Sequence, residues 1–286
     1  MAELRHDTAL HGTRLLRPHE VARDTCSRRF DFGGIPAEFS SDDVRWLAQL
    51  GLRYSGFETR SRPTLRVRYD VVPGRKPLPD RPCGELQPIA GSDGTHLELE
   101  GPGFKVSADL ATGAAVIAGP RHTYPVDAVM RELLPLLTRD SLVMHTALVS
   151  DGTRAWACAG PSGAGKTTLA ALLGERALCD ELAVVTIGRG GIEARSLPYW
   201  NARPGRAPLA GIHLLRHGPV HRRTRLAPEA AARRLLAQVA WPTRFPDALA
   251  RAFAVFGAIA ERVPVWELEF APRADVDAAV FAGECA

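Results

Sequence analysis

The stretch that most constrains the fold is GPSGAGKT, from Gly160 to Thr167, which matches the spacing G-x-x-x-x-G-K-[ST]. The apolar run from Ala155 to Ala159 precedes it, and a helical pattern from Thr167 to Glu175 follows it. In such a unit, backbone N–H groups curl around phosphate oxygens, and the positive end of the helix dipole points at the same anion. The segment predicts a phosphate-binding loop (P-loop). A glycine-rich turn without a ligand is not favoured, because strand, loop and helix come in the required order.

Two side chains of this glycine-rich loop add chemistry to its backbone. Lys166 places a positive charge near the β- and γ-phosphates of a nucleotide, and the Thr167 hydroxyl can ligate Mg²⁺. We therefore expect ATP and Mg²⁺ as cofactors. The residues predicted to hold the nucleotide are Gly160, Pro161, Ser162, Gly163, Ala164, Gly165, Lys166, Thr167 and Thr168.

Length and composition limit the class of protein. The chain has 286 residues, of which 45% are hydrophobic and 24% charged, so it can bury the core of one large domain or of two unequal ones. The formal net charge of +4 is mild and the arginines are spread along the chain. This pattern gives little support to nucleic-acid binding.

Cysteine usage and apolar segments bear on localisation. The five cysteines are odd in number and form no CxxC pair, which argues against a zinc knuckle and a disulfide framework. No apolar stretch approaches the roughly 20 residues that a membrane span needs, and the N-terminal segment has no apolar core like that of a signal peptide. We therefore expect a cytoplasmic protein without a membrane partner.

The pattern along the chain predicts an α/β protein in three parts. Residues 1–28 lack a sustained period and are predicted to form a flexible arm. Residues 29–122 contain short alternating runs separated by Gly, Pro and Asp, with one helix near 42–50, and predict a smaller β-rich domain. Residues 123–286 contain the glycine-rich loop and predict a nucleotide-binding domain, which opens with a helix kinked at Pro135.

An acidic doublet (Asp180 and Glu181) follows the predicted loop helix closely. Asp180 lies 14 residues after Lys166 (180 − 166), too soon for the long crossover that usually precedes an acidic strand end. Adjacent carboxylates at a strand end can divide two tasks, since one can ligate Mg²⁺ while the other accepts the proton of an attacking hydroxyl. A solvated acidic turn is the alternative.

His145 lies in the predicted strand LVMHTALV, ahead of the loop strand. A single histidine in an apolar strand is more often a core residue than a catalytic one. The turn at Asp151-Gly152 predicts a hairpin between the two strands. The hairpin alone leaves the distance between His145 and the loop undecided.

The order MHTALV, GPSGAGKTTL and LCDEL resembles HPr kinase/phosphorylase and its relatives. The later segments PLAGIHLLRHG and VPVWELEF are similar to HPr-kinase-related proteins of modified-peptide pathways, including lasso-peptide precursor kinases. The likeness covers about residues 125–283. It implies the P-loop mixed sheet that HPr kinase shares with phosphoenolpyruvate carboxykinase.

The resemblance also implies roles for single residues. Asp180 would be the catalytic base, His145 would orient or support it, and Glu181 would hold Mg²⁺ together with Thr167. The two carboxylate roles could be exchanged, with Asp180 as the metal ligand, and Lys166 would complete the catalytic set. The doublet is Asp-Glu where bacterial HPr kinases carry Asp-Asp, and no counterpart of their arginine-rich signature follows it. We therefore expect an acceptor other than HPr.

These observations favour an ATP- and Mg²⁺-dependent kinase that phosphorylates a Ser or Thr hydroxyl of a small protein or ribosomal precursor peptide. A small-metabolite kinase is an alternative, and so is a nucleotide-dependent switch that transfers no phosphate to its partner. A GTPase is not favoured, because no N-K-x-D motif occurs.

Three further segments keep two interpretations each. The basic segment RHGPVHRRTR is either a phosphate clamp or a solvated loop. In LPYWNARPGR, the side chains of Tyr199, Trp200, Asn201 and Arg206 either line a pocket or pack the loop onto its domain. His213 and the apolar residues of LARAFAVFGAIAERV belong to the core or to the interface of a homo-oligomer.

Overall fold

The structure is a computed structural model that describes residues 26–73, 87–88, 95–273 and 275–282. Within these residues the chain folds as a mixed α/β protein with two mixed sheets. The predicted arm, up to residue 25, lies outside the described residues, as does most of the proline-rich segment VVPGRKPLPDRPCGE (residues 71–85). The first strand already begins at Cys26, inside the range assigned to the arm, because its whole length pairs with the next strand.

The first sheet contains seven strands of the described chain in the order β1-β2-β3-β7-β6-β5-β4. They are β1 (Cys26–Phe32), β2 (Ile35–Ser41), β3 (Leu65–Val71), β4 (Gln87–Pro88), β5 (His96–Gly101), β6 (Phe104–Asp109) and β7 (Ala114–Gly119). Strands β2, β3 and β7 run parallel and the other pairs are antiparallel. Alternate residues of these strands are buried, as the alternating sequence pattern predicts.

The second sheet contains the remaining eight described strands. They are β8 (Ser141–Ser150), β9 (Ala155–Ala159), β10 (Ala177–Cys179), β11 (Leu182–Gly188), β12 (Gly191–Ser196), β13 (Arg206–His217), β14 (Arg222–Arg225) and β15 (Val265–Phe270). The order is β10-β8-β11-β12-β13-β15-β14, and β9 pairs with both β8 and β13. The pairings of β8, β11, β12, β13 and β9 therefore form a closed ring.

Six α-helices complete the described chain: α1 (Val44–Arg53), α2 (Tyr124–Leu137), α3 (Lys166–Leu173), α4 (Pro228–Leu235), α5 (Pro246–Arg262) and α6 (Val276–Phe281). The Asp43 carboxylate caps α1 by accepting from the N–H groups of Arg45 and Trp46, both at 3.0 Å. Pro135 lies inside α2, which continues to Leu137. No helix in the described residues is long and apolar enough to cross a membrane.

One hydrophobic core joins the two sheets. It contains the buried face of the first sheet and the apolar faces of α1 and α2, and it continues into Val143, Leu182 and Val184 of the second sheet. Leu197 and Tyr199, in the loop after β12, belong to the same cluster. The expected domain boundary between residues 122 and 123 stays a prediction, and the core runs continuously across it.

Most strands and helices lie where the sequence pattern placed them, and the differences cluster after the acidic doublet. Strands β12 and β14 were not predicted, since charged residues interrupt their apolar pattern. In β12, Glu193 and Arg195 pair with each other at the sheet surface, which removes the cost of placing both charges there. The segment GIHLL lies at the centre of the long strand β13, which begins at Arg206, the last residue of LPYWNARPGR.

Candidate active site

The register of the β8–β9 hairpin brings His145 to the start of the glycine-rich loop. The turn occupies residues 151–154, so Ser150 pairs with Ala155 and Thr146 pairs with Ala159. His145 and Gly160 follow at the same end of the hairpin. The connection is thus longer than the two-residue turn that Asp151-Gly152 suggested.

The acidic doublet also lies at this end of the hairpin, next to the edge of β8 that pairs with β11. Leu182, the first residue of β11, pairs with His145, and the Thr146 N–H donates to the Glu181 carbonyl at 3.0 Å. The buried Cys179 thiol donates to the Leu182 carbonyl at 3.1 Å and so holds the turn of the doublet. Burial raises the pKa of this thiol to about 12, so it keeps its proton.

These elements enclose one cleft of about 560 Å³, within the size range of small-ligand sites. Its floor and walls combine the glycine-rich loop, the acidic doublet and His145. The lining residues are His145, Ser162, Gly163, Gly165, Lys166, Thr167, Thr168, Asp180, Glu181, Trp200, Asn201 and His217. The structure therefore places the predicted catalytic and metal-binding residues in a single cleft.

The backbone of the loop needs glycine at its turning point. Gly165 has a φ of +98° and precedes α3 directly. A Cβ atom there would meet Phe270 Cζ at 2.6 Å and His217 Cε1 at 2.9 Å. Glycine thus allows both the left-handed backbone and the close approach of β13 and β15. No side chain of the described residues caps α3, so its first N–H groups are free to bind an anion.

Lys166 lies against the loop that carries it. Its Nζ donates to the carbonyls of Gly160 at 2.6 Å and Pro161 at 3.1 Å, which uses two of its three N–H donors. Burial lowers the pKa of Lys166, and the nearby Glu181 carboxylate opposes this effect. The remaining donor can serve a phosphate oxygen, as the sequence pattern predicted.

Two carboxylate oxygens of the doublet have no hydrogen-bond partner among the described residues. They are Asp180 Oδ1 and Glu181 Oε2, and both are buried. Buried oxygens of this kind ordinarily have a partner, and here they share a cleft with the Thr167 hydroxyl. Carboxylate and hydroxyl oxygens are hard ligands that suit Mg²⁺. The donor set therefore fits a magnesium ion.

The described residues supply too few ligands to hold a metal ion by themselves. The part of the chain that the structure describes contains no group of three or more His, Cys, Asp or Glu side chains able to bind a metal ion. Magnesium sites of phosphate-transferring proteins typically take one or two carboxylates and complete the shell with phosphates and water. The doublet with Thr167 matches that pattern.

Arg131 of α2 holds one end of the doublet. Its guanidinium forms an ion pair with Glu181 Oε1 and lies over the buried Tyr199 ring, 5.1 Å from the centroid. Burial lowers the pKa of Arg131, but the Glu181 carboxylate outweighs burial and the pKa is raised overall. Asp180 has no ion-pair partner among the described side chains. The two carboxylates therefore differ in environment, which the sequence did not indicate.

His145 is exposed to the cleft. Desolvation of the ring and then the Lys166 ammonium lower its pKa below the usual 6.5, although Glu181 opposes the shift. The imidazole is therefore neutral at neutral pH and can accept a proton or a hydrogen bond.

Three of the predicted nucleotide-binding residues are not among those that line the cleft. Gly160 and Pro161 contribute carbonyls to Lys166, and Ala164 is buried with its N–H donating to the Pro161 carbonyl at 3.1 Å. They shape the loop and do not line the cleft. Within the described residues, Ser162, Gly163, Gly165 and the start of α3 provide the exposed surface.

The cleft also contains His217, which the sequence interpretation left without a role. Its Nε2 donates to the Gly163 carbonyl at 2.8 Å and so anchors the tip of the loop to β13. The arginines of the basic segment are engaged elsewhere, since Arg216 and Arg222 pair with Glu269 at 2.6 and 2.7 Å. A phosphate clamp from these two arginines is thus not supported.

Comparison with models of protein families finds no match for this chain, and comparison with the sequences of curated proteins finds none either.

Proposed function

We propose that this protein is an ATP- and Mg²⁺-dependent kinase that transfers the γ-phosphate to a Ser or Thr hydroxyl of a small protein or precursor peptide. One observation carries the proposal: the glycine-rich loop and the acidic doublet with its unpartnered oxygens line the same cleft. A phosphate cradle beside a proton acceptor is what in-line phosphoryl transfer to an alcohol requires.

Each side chain has a task in this scheme. The loop N–H groups and Lys166 bind the triphosphate and orient its terminal phosphate. Thr167 and a carboxylate of the doublet would hold Mg²⁺, which would supply positive charge to neutralise the phosphate oxygens. A carboxylate of the doublet accepts the proton as the acceptor oxygen forms its bond to phosphorus, and the bond to the ADP oxygen breaks. His145 supports that carboxylate as a neutral hydrogen-bonding group.

The surroundings of the two carboxylates favour Asp180 as the base. Glu181 has one oxygen fixed by Arg131, which suits a carboxylate that holds a metal ion in a constant position. Asp180 forms no ion pair with any described side chain, so its carboxylate is not held by a cation and can turn towards an acceptor hydroxyl. We therefore assign the proton to Asp180 and the metal to Glu181 with Thr167.

The assignment to the HPr kinase type rests on the order of elements. A strand with His145, the loop between β9 and α3, and a doublet that follows α3 after the short strand β10 come in the same order as in the resemblance described above. A mixed sheet around the loop strand is compatible with that fold. The acceptor is expected to differ from HPr, because the doublet is Asp-Glu.

Mass spectrometry tests the function. The protein is incubated with ATP and Mg²⁺, together with peptides and proteins encoded next to its own gene, and each intact mass is measured. We expect the mass of one phosphate on a peptide or protein, absent with Asp180→Asn and retained with the matched control Asp277→Asn, a half-exposed carboxylate of α6 outside the cleft. Phosphate on a small metabolite, or on no acceptor at all, would contradict the proposal.

A further inference from the structure

The segment after β12 places an exposed aromatic ring at the cleft. Two aromatic side chains of the described residues are exposed, Trp200 at 40% and Phe253 at 49%, and of these only Trp200 lines the cleft. Trp200 also has a φ of +46°, the one positive value among the described non-glycine residues. Strained backbone of this kind is concentrated at ligand sites, where the surrounding structure maintains it.

Arg53, from the end of α1, holds this ring in place. Its guanidinium carbon lies 4.8 Å from the centroid of the Trp200 indole, and its Nη1 donates to the Trp200 carbonyl at 3.2 Å. Arg53 is itself fixed by the buried Asp127 carboxylate, with Nη2 to Oδ2 at 3.0 Å. The first sheet and its helix therefore support a wall of the cleft that lies in the second half of the chain.

Asn201, the next residue in the chain, forms with Trp200 a pair of side chains suited to binding a purine. Asn201 is exposed and also lines the cleft. An indole face stacks on a nucleobase, and a carboxamide can pair with the N6 donor and N7 acceptor of adenine, whereas guanine presents two acceptors on the same edge. The triphosphate cradle lies in the same cleft, so one nucleotide could reach both.

We propose that Trp200 and Asn201 form the base-binding wall of this site and select adenine over guanine, with Arg53 as a positioning residue for Trp200. This inference rests on the proposed function, because it takes the glycine-rich loop as the triphosphate cradle. It gives the N-terminal half of the chain a function, because Arg53 in that half would hold Trp200 of the base-binding wall in position.

Calorimetric titration with three probes separates the base from the phosphates. The probes are ATP, GTP and inorganic tripolyphosphate, each with Mg²⁺. We expect the wild type to bind ATP about tenfold or more tightly than tripolyphosphate. Trp200→Leu should remove most of that advantage and leave tripolyphosphate binding unchanged, while Trp200→Phe should keep part of it. Asn201→Ala should narrow the preference for ATP over GTP.

Two more variants control for fold and position. Phe253→Leu removes the other exposed aromatic, outside the cleft, and should change none of the three affinities. Arg53→Lys keeps a charge for Asp127 but loses the planar group over the indole, so it should weaken ATP binding and spare tripolyphosphate.

The outcomes distinguish a failure of this inference from a failure of the proposed function. If tripolyphosphate binds but ATP binds no more tightly, or if Trp200→Leu weakens both ligands equally, the base wall is refuted and the phosphate site stands. If Trp200→Leu spares ATP affinity and slows transfer only, the wall serves the acceptor and the inference is wrong. If neither ATP nor tripolyphosphate binds, the proposed function fails, and the inference fails with it.

Discussion

Asp127 and the acidic doublet (Asp180 and Glu181) are carboxylates of the same molecule with opposite surroundings. The Asp127 side chain is 5% exposed, and both its oxygens are satisfied: Oδ1 accepts from the Tyr54 hydroxyl at 2.7 Å, and Oδ2 accepts from Arg53 at 3.0 Å. Each residue of the doublet leaves one buried oxygen without a partner among the described residues. A satisfied carboxylate stabilises a fold, whereas an unsatisfied one in a cleft can bind a ligand.

The comparison predicts that changes to the two regions separate activity from stability. The two unpartnered oxygens of the doublet do not stabilise the fold, because they gain no interaction with the described residues in the folded state. Asp127 contributes to folding and stands away from the reacting groups.

Asp180→Asn should reduce phosphate transfer by about 10²–10⁴-fold, because it removes the proton acceptor. The free energy of unfolding should stay level or rise slightly, since a neutral amide is easier to bury than an unpaired carboxylate. Rates of transfer to the acceptor and denaturant unfolding measure the two effects. A wild-type rate would show that Asp180 is not the base.

Arg53→Met should lower the free energy of unfolding by about 3–5 kcal/mol, because it leaves the buried Asp127 charge without its cation. Arg176→Met is the matched control, since Arg176 pairs with Asp277 at the surface and should cost under about 1 kcal/mol. Urea unfolding of both variants checks the difference. Equal losses of unfolding free energy in the two variants would mean that the buried Arg53–Asp127 pair contributes no more to stability than the surface pair.

Acid should unfold the protein partly through His213. This ring is buried on β13, its Nε2 donates to the Val280 carbonyl at 3.0 Å, and burial lowers its pKa from 6.5 to about 4. The unfolded state binds the proton first, so this contribution is full above pH 6.5 and is lost as the pH falls towards about 4. The shift corresponds to about 3 kcal/mol.

His213→Leu isolates that contribution. The variant should unfold with a shallower dependence on pH between 6.5 and 4 than the wild type, measured by urea titration at each pH. The variant His145→Leu, which removes the histidine of the cleft instead of the buried one, is measured in the same way for comparison. If the slope of the His213 variant matches the wild type, protonation of His213 does not drive acid unfolding.

Arg131→Lys should change the free energy of unfolding by under about 1 kcal/mol, because Arg131 is 39% exposed and the charge is retained. Transfer should still slow severalfold, since the planar contact with Tyr199 that fixes Glu181 is lost. Arg131 also acts electrostatically on Asp127. Comparing the loss of stability with the loss of transfer rate therefore shows whether Arg131 serves mainly the buried Asp127 or the doublet. A large loss of stability would assign Arg131 to the structural region.

The sequence predicted the local parts of the site and missed the long-range ones. The glycine-rich loop and the doublet carry their chemistry in consecutive residues, and strand, loop and helix occur as predicted. The position of His145 depended on the hairpin register, which the four-residue turn set. No local pattern joins Arg53 to Asp127 or Trp200, because such pairs form only when distant elements pack.

Trp200 and Asn201 illustrate a second limit of prediction from the sequence. The proline-flanked segment allowed either packing or pocket lining, and the structure divides it: Tyr199 is fully buried in the core, while Trp200 and Asn201 line the cleft. The change from buried to exposed residues along an irregular loop follows no period that a sequence pattern can display. His217 was missed for a similar reason, since it follows the apolar part of β13.

The central claim is that the loop and the doublet form one magnesium-dependent triphosphate site. The most direct measurement is the affinity for ATP with and without Mg²⁺, in the wild type and in the double variant Asp180→Asn/Glu181→Gln. We predict that Mg²⁺ strengthens ATP binding to the wild type and that the double variant loses most of this gain while its metal-free affinity persists. The same gain from Mg²⁺ in both proteins would contradict the claim.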